Sequence, residues 1–149
     1  MVEIPRAVAR DIMKSDVVSL SPNAPMSEAV STLAEYRIHG APVVDAAGAL
    51  VGVLSLSDVV RRDRDLDEQE NKEERGWPTL AFDREFVRDW MTSEVETVDP
   101  DTEVLNLCQQ MSKDQIHRVF VVESRRLIGV VSALDVVDHI ARPQPQRQR

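Results

Sequence analysis

The chain has 149 residues, 42% hydrophobic and 30% charged, the balance of a folded globular domain and not of a wholly disordered one. Its 18 Lys and Arg against 26 Asp and Glu leave a net charge of −8, which argues against nucleic-acid backbones and anionic lipid as partners. No apolar run approaches the ~18 residues of a membrane span, the start MVEIPRAVAR lacks the apolar core of a secretory signal, and the single cysteine, Cys108, has no internal partner, so a cytoplasmic setting is expected.

In chain order, the first element is RDIMKSDVVSLSP, Arg10 to Pro22, in which Val17 to Leu20 reads as a leading strand. Met26, Ala29, Val30 and Leu33 then recur at helical spacing. Two short β-branched runs follow, APVVD (Ala41 to Asp45) and LVGVLS (Leu50 to Ser55), joined by the turn-like Ala46-Ala47-Gly48. The segment SLSDVVRR continues as a helix with Val59 and Val60 on its apolar side. The predicted order is βαββα.

Next comes RRDRDLDEQENKEERG, Arg61 to Gly76, dense in charges of both signs and expected as a solvated helix extension or mobile linker. WPTLAFDREFVRDW follows it, where Trp77, Leu80, Phe82, Phe86 and Trp90 gather most of the few aromatics. This segment is expected to dock within the fold or to offer a surface to a partner.

From Arg88 the first pattern returns. RDWMTSEVETVDP, Arg88 to Pro100, overlays RDIMKSDVVSLSP at an offset of 78, which is 88 − 10. Ile38, His39, Val43 and Val44 meet Ile116, His117, Val121 and Val122; then one residue drops out, and Gly52, Ser55 and Asp58 meet Gly129, Ser132 and Asp135. Val95 to Val98 is the second leading strand. Val104, Leu107, Cys108 and Met111 repeat the helical stripe, which makes Cys108 the counterpart of Val30 and an inert core residue. VFVVE and LIGVVS flank Ser124-Arg125-Arg126, and SALDVVDHIAR supplies the last helix, with Val136, Val137 and Ile140 apolar. The tail RPQPQRQR, from Arg142, is expected to be disordered. Each three-stranded unit covers itself only partly, so the two should pack as one domain.

Each copy carries Gly-x-x-Ser-x-x-Asp at a strand-to-helix junction: Gly52, Ser55 and Asp58, and Gly129, Ser132 and Asp135. Such a corner can hold a ligand, because the glycine admits a close neighbour, the helix start offers free N–H groups, and the carboxylate can grip a ribose diol. The same residues also make a capping box, in which Ser bonds a first-turn amide and the acid supports the helix dipole. Both readings stand at this level. His39 and His117 read as strand-edge histidines making one ordinary hydrogen bond, with no carboxylate or cysteine at metal-ligand spacing.

These features together resemble the tandem CBS-domain (cystathionine β-synthase domain) pair, or Bateman module: RDIM and RDWM, SLSP and TVDP, IHGAPVVD and IHRVFVVE, and the two Gly-x-x-Ser-x-x-Asp motifs. The expected fold class is α/β (α+β), two βαββα repeats packed as one pseudo-twofold-symmetric pair. Its expected divisions are repeat 1 at 8–62, a charged connector and aromatic segment at 63–85, repeat 2 at 86–141, and a tail at 142–149.

The resemblance implies clefts for adenosine nucleotides or S-adenosylmethionine. By match to the family motif, Asp58 and Asp135 hold the ribose, Ser55 and Ser132 lie near ribose or phosphate, and Ser19 and Thr97 frame the base. The backbone around Ala41-Pro42 and Val119-Phe120 completes that frame, and Val53 and Val130 line the apolar wall. The second copy has His117-Arg118 where the first has His39-Gly40, so Arg118 is the expected phosphate contact, with Arg37 and Arg125 weaker. The first copy in turn keeps a proline, Pro42, where the second has Phe120.

The expected function is therefore a regulatory adenine-nucleotide sensor, with no catalytic residues, no required cofactor and no metal. It would act as a homodimer, with a regulated protein that the sequence does not identify. The alternatives are a ligand-free scaffold for dimerisation or partner binding, and an S-adenosylmethionine sensor.

Overall fold

The computed structural model describes residues 6–61 and 84–142. The expectations for the charged connector, for Trp77, Leu80 and Phe82, and for the tail beyond Arg142 lie outside the described residues. The elements are α1 (Ala9–Ile12), α2 (Met26–Glu35), β1 (Gly40–Val44), β2 (Leu50–Ser55), a helix α3 at 56–61, α4 (Val87–Trp90), β3 (Thr97–Val98), α5 (Val104–Asp114), β4 (Arg118–Glu123), β5 (Arg126–Ser132) and α6 (Ala133–Ala141). Among the described residues no helix is long and apolar enough to cross a membrane.

The described residues form two compact units, and each takes its leading segment from the other repeat. One unit joins the chain up to Val17 to the chain from Glu96 onward; the other is Val18–Val95. In the first, Ala9 N–H donates to Thr102 O, Arg10 N–H to Pro100 O and Val104 N–H to Ala7 O, at 2.8, 2.9 and 2.9 Å. In the second, Val87 N–H donates to Ala24 O, Arg88 N–H to Pro22 O and Met26 N–H to Glu85 O, at 2.9, 3.0 and 2.9 Å. The bonds correspond one for one under the offset of 78.

Each unit has its own core. Met26, Ala29 and Leu33 of α2 pack with Ala41, Val43, Leu54, Val87 and Trp90. Val104, Leu107 and Met111 of α5 pack with Val98, Val119, Val121, Val131 and Val136. The helical stripes are buried as their spacing predicts, although Cys108 and Val30 sit half-buried at the core's flank. Three consecutive residues of β1 and of β4 are buried, the mark of strands covered on both faces. Of the aromatic segment, Trp90 enters the core, while Phe86 is 37% exposed and lies under the Arg88 guanidinium.

Three local differences from the sequence reading have physical causes. The leading strand of the second copy shrinks to Thr97–Val98, parallel to β4, and that of the first reduces to a single bridge between Leu20 and Val43. Phe120 N–H bonds Glu96 O at 3.3 Å, whereas its counterpart Pro42 has no N–H to offer Val18. The second sheet therefore has three strands and the first two. The expected turn Ser124-Arg125-Arg126 is a two-residue hairpin turn with φ of 51° at Ser124 and 68° at Arg125, and Arg126 already belongs to β5. In the first copy Gly48 takes the positive φ of a longer turn, so the one-residue gap between the copies lies in the hairpin loop.

Candidate functional site

Each Gly-x-x-Ser-x-x-Asp motif turns a strand into a helix, and in both copies the capping box forms. Asp135 Oδ2 accepts Ser132 N–H at 2.8 Å while Asp135 N–H donates to Ser132 Oγ at 3.1 Å. Asp58 Oδ2 accepts both Ser55 N–H at 3.1 Å and Ser55 Oγ–H at 2.9 Å, and Asp58 N–H donates to Ser55 Oγ at 3.2 Å. One carboxylate oxygen in each copy is thus engaged in the cap, where the acid also meets the helix dipole favourably.

The other oxygen meets the exchanged leading segment. Thr92 Oγ1 donates to Asp58 Oδ1 at 3.1 Å, and Lys14 Nζ lies 3.4 Å from Asp135 Oδ1. Positions 14 and 92 are counterparts under the offset of 78. Asp58 has a further, longer ion pair with Arg61 at 4.0 Å, one helical turn on and 72% exposed. The backbones that carry Lys14 and Thr92 are fixed by paired bonds: Lys14 and Val130 exchange N–H···O bonds of 2.9 Å, as do Thr92 and Val53.

The motif's glycine has its reason here. A Cβ on Gly52 would stand 2.7 Å from Met91 Sδ and 2.9 Å from Thr92 O; one on Gly129 would stand 2.5 Å from Met13 Sδ and 3.1 Å from Lys14 O. The group that approaches the glycine is the leading segment of the other repeat. Neither glycine has a positive φ, so close approach alone accounts for it.

The structure brings Arg118, Ser132 and Asp135 to one end of the second sheet, with Arg118 the cross-strand partner of Ser132. The first copy places Gly40 opposite Ser55 in the same register. The His117 carbonyl accepts Ala133 N–H at 2.8 Å and the His39 carbonyl accepts Leu56 N–H at 2.9 Å, so both histidine backbones cap the following helix. Thr97 pairs with Phe120 beside this end, and Ser19 precedes the Leu20 bridge. Ala41 and Val119 are 1% and 0% exposed, so their side chains are core and only backbone is left for a ligand. Pro42, also buried, pairs with Val53, and Phe120 with Val130.

An open depression of about 550 Å³ lined by Met111, Ser112, Gln115, Ile116 and His117 flanks the second corner without including Ser132 or Asp135. Arg37 and Gln115 end α2 and α5 with φ of 53° and 52°, and Arg125 sits in the hairpin turn. Among the described residues no cluster of His, Cys, Asp and Glu could hold a metal ion. Lys14 and Thr92 escape a motif reading, because neither belongs to Gly-x-x-Ser-x-x-Asp. Their one signal in the sequence is that they align with each other.

The family model for the CBS domain matches residues 9–65 and 87–142. The uncharacterized protein MJ1426 of Methanocaldococcus jannaschii is 30% identical, with 87% of this chain and 88% of that protein covered. Other relatives are longer: the match to MJ1225 of the same organism, 26% identical, covers 86% of this chain and 41% of that protein, and this chain spans less than half the length of the first curated relatives it matches. Among solved structures, the CBS domain of a CBS domain containing membrane protein from Sphaerobacter thermophilus superposes with a TM-score of 0.70 at 27% identity, covering 91% of this chain and 88% of that one. The CBS domain pair of protein MJ0100, in complex with 5-methylthioadenosine and S-adenosyl-L-methionine, does so with a TM-score of 0.66 at 27% identity over 90% and 95% of the two chains. CBSX2 in complex with AMP, 24% identical over 88% and 93%, shares the fold with a TM-score of 0.71.

Proposed function

Because the chain belongs to the CBS-domain family, with both repeats matched, we propose that it is a regulatory, non-catalytic sensor of adenosyl ligands of the AMP, ADP or ATP type. Ligand binding stabilises one arrangement of the protein and so shifts the population that a regulated partner meets. The observation that carries the reading is the convergence of Arg118, Ser132 and Asp135 at the start of α6, a cation, a hydroxyl and a carboxylate at one end of the sheet beside a helix N-terminus. The compounds in the MJ0100 complex, 5-methylthioadenosine and S-adenosyl-L-methionine, support the adenosyl part of this reading, and CBSX2 in complex with AMP carries a phosphorylated adenosyl ligand on the same fold.

In this reading Asp135 takes the ribose, Ser132 and Arg118 the phosphate, and Thr97, Val119 and Val130 the base, with His117 at the rim. The corresponding corner of Ser19, Ala41, Pro42, Val53, Ser55 and Asp58 is the weaker site, since Gly40 stands where Arg118 does. A melting screen with AMP, ADP, ATP and S-adenosylmethionine tests this. A ligand confined to the native state adds about 2.7 kcal/mol at 100 times its Kd, so a nucleotide is expected to raise Tm by several degrees. A flat response to all four at millimolar concentration sinks the sensor reading and leaves the capping boxes as structure only; a response to S-adenosylmethionine alone moves the assignment to that ligand.

The partner proposed for the exposed helices is a second copy of this chain. Leu134, Val137 and Ile140 of α6 are 66%, 56% and 38% exposed, and Leu56 and Val60 of α3 are 39% and 55% exposed. The same face thus stays open in both units, which suits a self-complementary contact. Sedimentation velocity is expected to give a dimer for the wild type and a monomer for Val137→Glu, and a wild-type monomer at micromolar concentration overturns it.

A further inference from the structure

We propose that Lys14 selects the ligand by charge at the Asp135 corner, making that site specific for adenosyl compounds that carry phosphate. The inference rests on the adenosyl-ligand reading and deepens it. Asp135 is 9% exposed, and its Oδ2 is committed to the Ser132 amide. A ribose diol seated there must also use Oδ1, which Lys14 Nζ holds at 3.4 Å. Lys14 is well placed to yield, because its side chain is 72% exposed while its backbone is clamped to Val130 by two bonds of 2.9 Å.

The displaced ammonium needs a new partner. A phosphate beside the ribose supplies one, with Arg118 rooted opposite Ser132 at the same corner. A neutral nucleoside supplies none, and a cationic sulfonium adds repulsion. At the other corner Thr92 occupies the corresponding place and bonds Asp58 Oδ1 through a hydroxyl, which yields without leaving a charge behind, and the cation near that oxygen, Arg61 at the longer 4.0 Å, comes from α3 and not from the leading segment. The leading segment therefore carries the charge preference, although Lys14 lies 121 residues before Asp135, that is 135 − 14.

Titration calorimetry with AMP and with adenosine, on the full chain, tests the proposal. Lys14→Gln and Lys14→Thr, the latter copying the residue found at position 92, are each expected to weaken AMP about 10-fold or more while adenosine holds its affinity or gains up to about twofold, since no ion pair with Asp135 is left to break. Lys14→Arg, which restores the charge, is expected to keep the preference for AMP. Equal weakening of both compounds shows a merely structural lysine and overturns the proposal, as does unchanged AMP affinity in both neutral variants. A wild-type chain that binds adenosine but not AMP also overturns it alone. Failure of the wild type to bind either compound removes the sensor reading itself, and the proposal with it.

Discussion

Gly52→Ala is expected to lower stability by about 2–3 kcal/mol and Gly52→Val by more, as overpacking of a closed contact does. The new Cβ meets Met91 Sδ at 2.7 Å and Thr92 O at 2.9 Å. The thioether can rotate away, but the carbonyl cannot, because Thr92 and Val53 exchange two backbone bonds of 2.9 Å that hold the leading segment on β2. Relief requires lifting that segment, together with Val87 and Trp90, which it anchors in the core. Gly129→Ala meets mainly the flexible end of Met13, with Lys14 O at 3.1 Å, and is expected to cost about 1–2 kcal/mol. Urea unfolding checks both, read as a lower midpoint at unchanged m. If Gly52→Ala is as stable as the wild type, the close-approach account of this glycine is wrong.

Asp135→Ala is expected to weaken AMP binding about 100-fold, the loss of two charge-assisted hydrogen bonds to a diol, whereas Asp58→Ala leaves it nearly unchanged. Both variants also break a capping box and leave a serine amide without its acceptor, at about 1–2 kcal/mol of stability. Stability and binding separate through Asp135→Asn, whose carbonyl oxygen can still accept Ser132 N–H but whose amide has no charge for Lys14. Its Tm should lie close to wild type, and its affinity close to that of the alanine variant. Unchanged affinity in Asp58→Ala and Asp135→Ala alike refutes the assignment of either corner.

The capping reading of the motif takes Oδ2 of the carboxylate in both copies, which leaves Oδ1, facing Thr92 or Lys14, as the oxygen for the ligand reading proposed above. Sequence spacing could raise both readings but not divide the atoms between them, since that division depends on a residue supplied from elsewhere in the chain.

What the sequence determined by itself is what repeats locally. Apolar residues at helical spacing buried Met26, Ala29 and Leu33, and then Val104, Leu107 and Met111, because a helix of given period must bury a stripe of that period. Ser-x-x-Asp formed its caps because donor and acceptor lie within one turn. The internal register likewise predicted which residues would be counterparts. Only the tertiary structure decided what those counterparts touch. Leading segments exchanged between the repeats give the glycines their neighbours and give Asp58 a hydroxyl but Asp135 an ammonium. Pro42 cut the first leading strand to one bridge because a missing amide matters only where another strand comes to lie beside it. The sequence alone sets Arg118 against Gly40, but contacts between residues far apart in sequence leave no period to read, so the difference between Lys14 on Asp135 and Thr92 on Asp58 became legible only in the fold.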